Sequence, residues 1–170
     1  MLYLKLISTE DADKEYDFVT GIPSEENGFT NTAFGMSRKK FLSSYLPKHI
    51  AMAEGKHLPE GIVAQLDFFL WDSDAAIIVG MFRVRPSLND FLRNGPGHIG
   101  YAVRHEFRNK GYATKGLALA LEELKKRTKD TEALLSVSKQ NPASLRVMQK
   151  NGGYIHHEDE TEYYVRIPLL

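Results

Sequence analysis

Residues 101–114, Tyr-Ala-Val-Arg-His-Glu-Phe-Arg-Asn-Lys-Gly-Tyr-Ala-Thr, constrain this chain more than any other stretch: a β pattern runs into a short basic turn with a glycine and then directly into a helix. A strand that ends just before a helix leaves backbone N–H groups unpaired at the helix N-terminus, where the macrodipole adds about half a positive charge. Gly111 lets the main chain come close to an anion, Ala113 keeps the next turn narrow, and Arg108 and Lys110 bring positive charge. The junction is a candidate phosphate-binding turn. It is neither a P-loop, which closes with Gly-Lys-Ser/Thr, nor the Gly-x-Gly-x-x-Gly of a dinucleotide fold.

An ordinary basic turn would carry the same residues, so the flanking pattern decides. Residues 97–103 read as a strand, and Ala113, Leu117, Leu121 and Leu124 form one face of a helix whose other side carries Lys115, Glu122, Glu123, Lys125 and Lys126. A second block follows, in which the apolar strand 134–138 leads through Lys139, Gln140 and Asn141 into a helix that runs to about residue 150. Asn141 with Pro142 is a helix start signal that needs no ligand, and it is equally placed to reach one. The ending Gln149-Lys150-Asn151-Gly152-Gly153-Tyr154 stops that helix and begins a new strand.

Arg108-x-x-Gly111-x-Ala113 resembles the Arg/Gln-x-x-Gly-x-Gly/Ala signature of the GNAT superfamily of acetyl-CoA-dependent N-acetyltransferases, bacterial members in particular. Asn141 and Ser144 resemble its Asn-x-x-Ser/Ala element. The likeness covers about residues 76–167, and the N-terminal part matches in layout only. It implies a coenzyme A thioester as co-substrate, with Val103, Arg104, Arg108, Asn109, Lys110, Gly111, Tyr112, Ala113, Thr114, Asn141 and Ser144 on the cofactor. It also implies two central strands that splay apart, with the pantetheine arm lying in the cleft between them. The acceptor side would be lined by residues 24–34, Trp71 and 86–94, with Phe29, Phe34, Phe69 and Trp71 as aromatic candidates.

The chain of 170 residues suits a single domain, residues 1–170, with an N-terminal strand and helices over 1–60 and the sheet and cofactor core over 61–170. The expected class is α/β (α+β), a mixed, mostly antiparallel sheet of six or seven strands flanked by helices. Strands are expected at 2–7, 63–71, 76–85, 97–103, 134–138, 154–157 and 162–167. Helical spacing covers 10–20 and 37–53, and Pro47 should break or kink the second. No run of about 18 apolar residues exists and the N-terminus has no signal-peptide layout, so a cytoplasmic protein without a membrane partner is expected. With 22 basic and 22 acidic residues, the net charge of +0 argues against a nucleic-acid partner. The C-terminal strand could pair two copies into a homodimer.

There is no cysteine, so no acyl-cysteine forms and acetyl would pass directly to the amine acceptor. An amine of pKa about 10.4 is neutral in only about one molecule in 2,500 at pH 7, so something must take its proton. Counting back from the phosphate turn by the family's layout points to His98 as the base, with a purely structural role equally open. The family's Tyr seven residues after the Asn is replaced by Met148, which leaves Tyr101, Ser144 and Tyr154 as candidate acids. The alternative function is a noncatalytic acyl-CoA-binding module, and a longer acyl-CoA is a further option. No metal is expected. The pair His156-His157 falls on a strand, where neighbours point to opposite faces and cannot share an ion.

Overall fold

The computed structural model describes residues 1–170. Its frame is a four-stranded antiparallel sheet in the order β1-β4-β5-β6 and a three-stranded sheet in the order β7-β9-β8. In chain order, β1 (Leu2–Leu6) leads to α1 (Ala12–Thr20), and a small hairpin, β2 (Glu25–Glu26) and β3 (Phe29–Thr30), precedes α2 (Arg38–Lys40) and α3 (Leu46–Ala53). Next come β4 (Leu66–Asp72), β5 (Ile77–Val84), the short α4 (Asp90–Arg93) and β6 (Ile99–Val103). The chain ends with α5 (Tyr112–Lys125), β7 (Glu132–Ser138), α6 (Pro142–Lys150), β8 (Tyr154–Glu158) and β9 (Glu162–Pro168).

β4 shows why the sequence specifies this layering. Its alternating side chains feed two cores: Phe68 and Leu70 pack with α5 and the second sheet, while Phe69 and Trp71 pack with α1 and α3. A strand buried on both faces reads as a continuous apolar run, and Phe-Phe-Leu-Trp is one. Each such side chain contributes about 1.5–3 kcal/mol on burial.

Pro47 does not break its helix. The turn before it, Phe41–Tyr45, widens so that the Leu46 N–H reaches the Phe41 carbonyl, an i→i+5 turn that relieves the proline ring's clash with the preceding turn. Two other local expectations also change. α4 falls between two expected strands, where no element was expected, and is started by the Asn89 side chain accepting from the Leu92 N–H. At β8, a bulge between Ile155 and His157 undoes the alternation, so the Nδ1 atoms of His156 and His157 lie 2.9 Å apart and His157 stacks on Tyr164. Only a regular strand would have kept the two imidazoles on opposite faces. No helix is long and apolar enough to cross a membrane.

Candidate active site

β6 and β7 lie side by side at one end and separate at the other. At the joined end Gly97 and Leu135 form an isolated bridge, the His98 N–H donates to the Leu134 carbonyl at 2.7 Å, and the Leu134 N–H donates to His98 Nδ1 at 2.9 Å. A side chain on Gly97 would meet the Leu134 oxygen at 2.0 Å, and its φ of +72° is one L side chains rarely adopt, so glycine is what allows the two chains to touch there. Beyond this vertex no ladder joins the strands. The gap widens into a cleft of about 510 Å³ bounded by β6, β7, α6 and the start of α5.

The floor of the cleft is a row of free main-chain donors. The N–H groups of residues 109–114 have no acceptor in the protein, and the first N–H after them, that of Lys115, turns back to the Gly111 carbonyl. Asn109 and Gly111 adopt positive φ, +61° and +78°, which turns successive N–H groups to one side; no side chain caps the helix. Such a nest at a helix N-terminus suits an anion. The opposite wall is the start of α6. Asn141 Oδ1 caps it by accepting from the Ser144 N–H at 3.1 Å, which leaves the Asn141 amide N–H₂ free toward the cleft. Asn151 ties the walls together, donating to the carbonyls of Thr114 on α5 and Val147 on α6.

Of the residues expected on the cofactor, Val103, Arg108, Asn109, Gly111, Tyr112, Ala113, Thr114, Asn141 and Ser144 line this cleft. Arg104 and Lys110 do not. Arg104 pairs with Glu106 at 2.6 Å and lies over Phe18, and Lys110 lies over Phe107. Arg108 is held at both ends, its Nε donating to the Val103 carbonyl and its Nη2 paired with Glu26 at 2.6 Å. Sequence reading missed Arg146 and Lys150, which also line the cleft. The signal was available, since with α6 starting at Pro142 the positions 143, 146, 147 and 150 share one helical face.

A GNAT acetyltransferase domain model matches residues 29–153. The chain belongs to the GNAT acetyltransferase family. The match starts well before residue 76 and takes in the N-terminal region that resembled the family only in layout. No curated protein matches the sequence. Among solved structures, a GNAT-family acetyltransferase of Bordetella pertussis superposes with a TM-score of 0.68 at 13% identity, covering 98% of this chain and 95% of the other. A GNAT acetyltransferase of Streptococcus pneumoniae gives 0.64 at 15%, with 98% and 97% covered. A spermidine N-acetyltransferase of Vibrio cholerae, solved with CoA and spermine, gives 0.64 at 16%, with 99% and 95% covered. At these identities the likeness is one of fold.

Within this GNAT domain His98 and Tyr101, two of the sequence candidates for proton transfer, fall in different places. His98 is fully buried outside the cleft lining. Its Nδ1 accepts from Leu134, so Nε2 carries the proton and donates to Asp130 at 2.9 Å, and burial holds its pKa below the usual value. Neither nitrogen is free to take a proton from a substrate. The expectation of a base at His98 does not fit this geometry, which makes the ring a pin across the vertex. Tyr101 does line the cleft. It stacks on Phe82, its hydroxyl lies 2.6 Å from Ser144 Oγ, and burial pushes the phenol up to about 12.

Proposed function

We propose that this GNAT domain is an N-acetyltransferase that moves acetyl from acetyl-CoA directly to a primary amine of a small molecule or peptide. The observation that carries the reading is the unbroken row of free N–H groups over residues 109–114, at the foot of a cleft open between two splayed strands. The diphosphate would sit on those donors with Arg108 beside it, and Asn141 would meet the pantetheine arm with its free amide. The exposed edge of β6 would offer main-chain N–H groups to the thioester oxygen as it gains charge.

In this reading the amine nitrogen bonds to the thioester carbon, the C–S bond breaks, and the departing thiolate takes a proton. Tyr101 would supply it: a phenol held near 12 stays protonated at neutral pH, and its partner Ser144 lies on the facing wall. The carboxylate among the lining residues is Glu26, available to accept the amine's proton once Arg108 turns from it to the diphosphate.

Calorimetry with acetyl-CoA followed by thiol-release assays over an amine panel tests this. Wild-type protein should bind acetyl-CoA and turn over at least one amine, and Gly111→Val, forced into a φ of +78°, should weaken binding more than about tenfold. Unchanged affinity in that variant overturns the phosphate assignment. Binding without turnover of any amine makes the chain an acyl-CoA-binding module.

A further inference from the structure

We infer that Arg146 and Lys150 form a second anion site on α6, which holds the 3′-phosphate of coenzyme A and so tells the cofactor from its 3′-dephospho form. The inference rests on the coenzyme A reading of the cleft and assigns a part of that molecule which the turn over 109–114 does not hold. Both side chains line the cleft. Both residues are exposed, and they stand four positions apart on one helix, where neighbouring Cβ atoms lie about 5–6 Å apart. Two cations at that spacing can reach one phosphate together.

Neither cation is matched by an acid. The two segments that make this end of the cleft, residues 108–121 and 133–150, contain six Lys and Arg and no Asp or Glu. In a chain with 22 residues of each sign, that is a local excess of positive charge. Acids from elsewhere reach only two of the six: Glu26 pairs with Arg108 at 2.6 Å, and Glu158 with Lys139 at 3.3 Å. Lys110 lies over the Phe107 ring, and Lys115 is exposed away from the cleft lining. Arg146 and Lys150 are left on the cleft wall with no ion pair and no side-chain hydrogen bond to the protein. Like charges one turn apart on a helix repel, and a bound anion removes that cost.

The fixed points of α6 decide which part of the ligand the pair meets. Its first turn is held at β6, where Ser144 Oγ lies 2.6 Å from the Tyr101 hydroxyl, and its far end is held at α5, where Asn151 donates to the Thr114 carbonyl at 3.2 Å. The helix therefore runs from the thioester end of the cleft toward the phosphate turn, and positions 146 and 150 fall in its second half. The free N–H groups of residues 109–114 already supply donors for the diphosphate. Two unpaired cations beside them match a separate phosphomonoester, which carries about −1.5 to −2 charge at pH 7. On coenzyme A that group is the 3′-phosphate of the ribose, which follows the diphosphate along the molecule.

The test is calorimetry with CoA and with 3′-dephospho-CoA on wild type, on the double variant Arg146→Gln with Lys150→Gln, and on Lys115→Gln. Wild type should bind CoA about tenfold or more tighter than dephospho-CoA. The double variant should weaken CoA by about that factor and leave the dephospho-CoA Kd within about threefold, so that the ratio falls near one. Lys115→Gln, which removes a charge from the same region but not from the cleft wall, should keep the wild-type ratio. The substituted side chains are exposed on helices, and far-UV circular dichroism checks that each variant is folded. Equal affinity of wild type for the two ligands overturns the inference while leaving the cofactor reading intact. A double variant that weakens both ligands alike, or a ratio that Lys115→Gln lowers as much, overturns it too, since the charges then act only through the general potential of the cleft. Wild type that binds neither ligand overturns the cofactor reading and this inference with it.

Discussion

Substituting Gly97 by alanine should unfasten the vertex of the cleft. The residue's φ of +72° costs an L side chain about 1–2 kcal/mol. The new Cβ would stand 2.0 Å from the Leu134 oxygen and 2.5 Å from its carbon, both main-chain atoms that cannot rotate away. Relief requires β6 and β7 to move apart at this point. That movement breaks the pair of bonds between His98 and Leu134, and each buried group left unsatisfied costs about 1–3 kcal/mol. With one unsatisfied group for each of the two bonds, the sum is about 3–8 kcal/mol, against a total stability of about 5–15 kcal/mol for an ordinary domain. Urea unfolding followed by far-UV circular dichroism measures it directly. Gly100→Ala is the internal control, because its methyl meets nothing and strand glycine is mildly unfavourable; its stability should match wild type within about 1 kcal/mol. A Gly97→Ala variant that loses less than about 1 kcal/mol, or no more than the control, refutes the account of the vertex.

His98→Asn keeps an acceptor where Nδ1 stands, so it should fold and retain most activity with an unaltered pH–rate profile; loss of an ionisation from that profile would restore His98 to the chemistry. Tyr101→Phe should lower kcat by about tenfold or more while leaving the acetyl-CoA Kd unchanged, and equal kcat would remove the phenol from proton transfer. Glu15 is buried and its folded pKa lies at about 8, above the ordinary 4.5, so the folded state keeps a proton that the unfolded state releases. Its contribution to stability is complete below about pH 4.5 and is lost as pH rises toward 8. Glu15→Gln should accordingly gain on wild type by on the order of 3 kcal/mol between pH 5 and pH 8, read as a difference in urea midpoints; a constant difference across that range would mean Glu15 ionises normally in the fold.

Elements whose signal is local were legible in the sequence. α5 and α6 carry their start residues, Gly111 and Asn141-Pro142, and their apolar faces within one continuous segment, and β4 declares itself by its apolar run. What could not be read depends on departures from regular geometry. The widened turn before Pro47 and the bulge in β8 each insert a residue's worth of offset, which a periodic template cannot register. His98 shows a different limit. A histidine near a cleft looks the same in sequence whether its nitrogens face solvent or not, and its two partners, Leu134 and Asp130, arrive from more than 30 residues away.

The same distinction divides the candidate site. The half that would hold the diphosphate is made from consecutive residues, 109–114, so its donors, charges and glycine appear together in the sequence. The half that would hold the acceptor is made by register. Gly100, Arg83 and Asp67 stand in one row across three strands, and Phe29 closes over them from a hairpin more than 50 residues earlier than Arg83. A row of this kind can change charge by one substitution on one strand without disturbing the main chain that carries the neighbouring cofactor turn. Acceptor preference in this chain should therefore respond to single changes on these strands with little effect on acetyl-CoA affinity, because the two halves meet along β6 and at the Arg108–Glu26 pair.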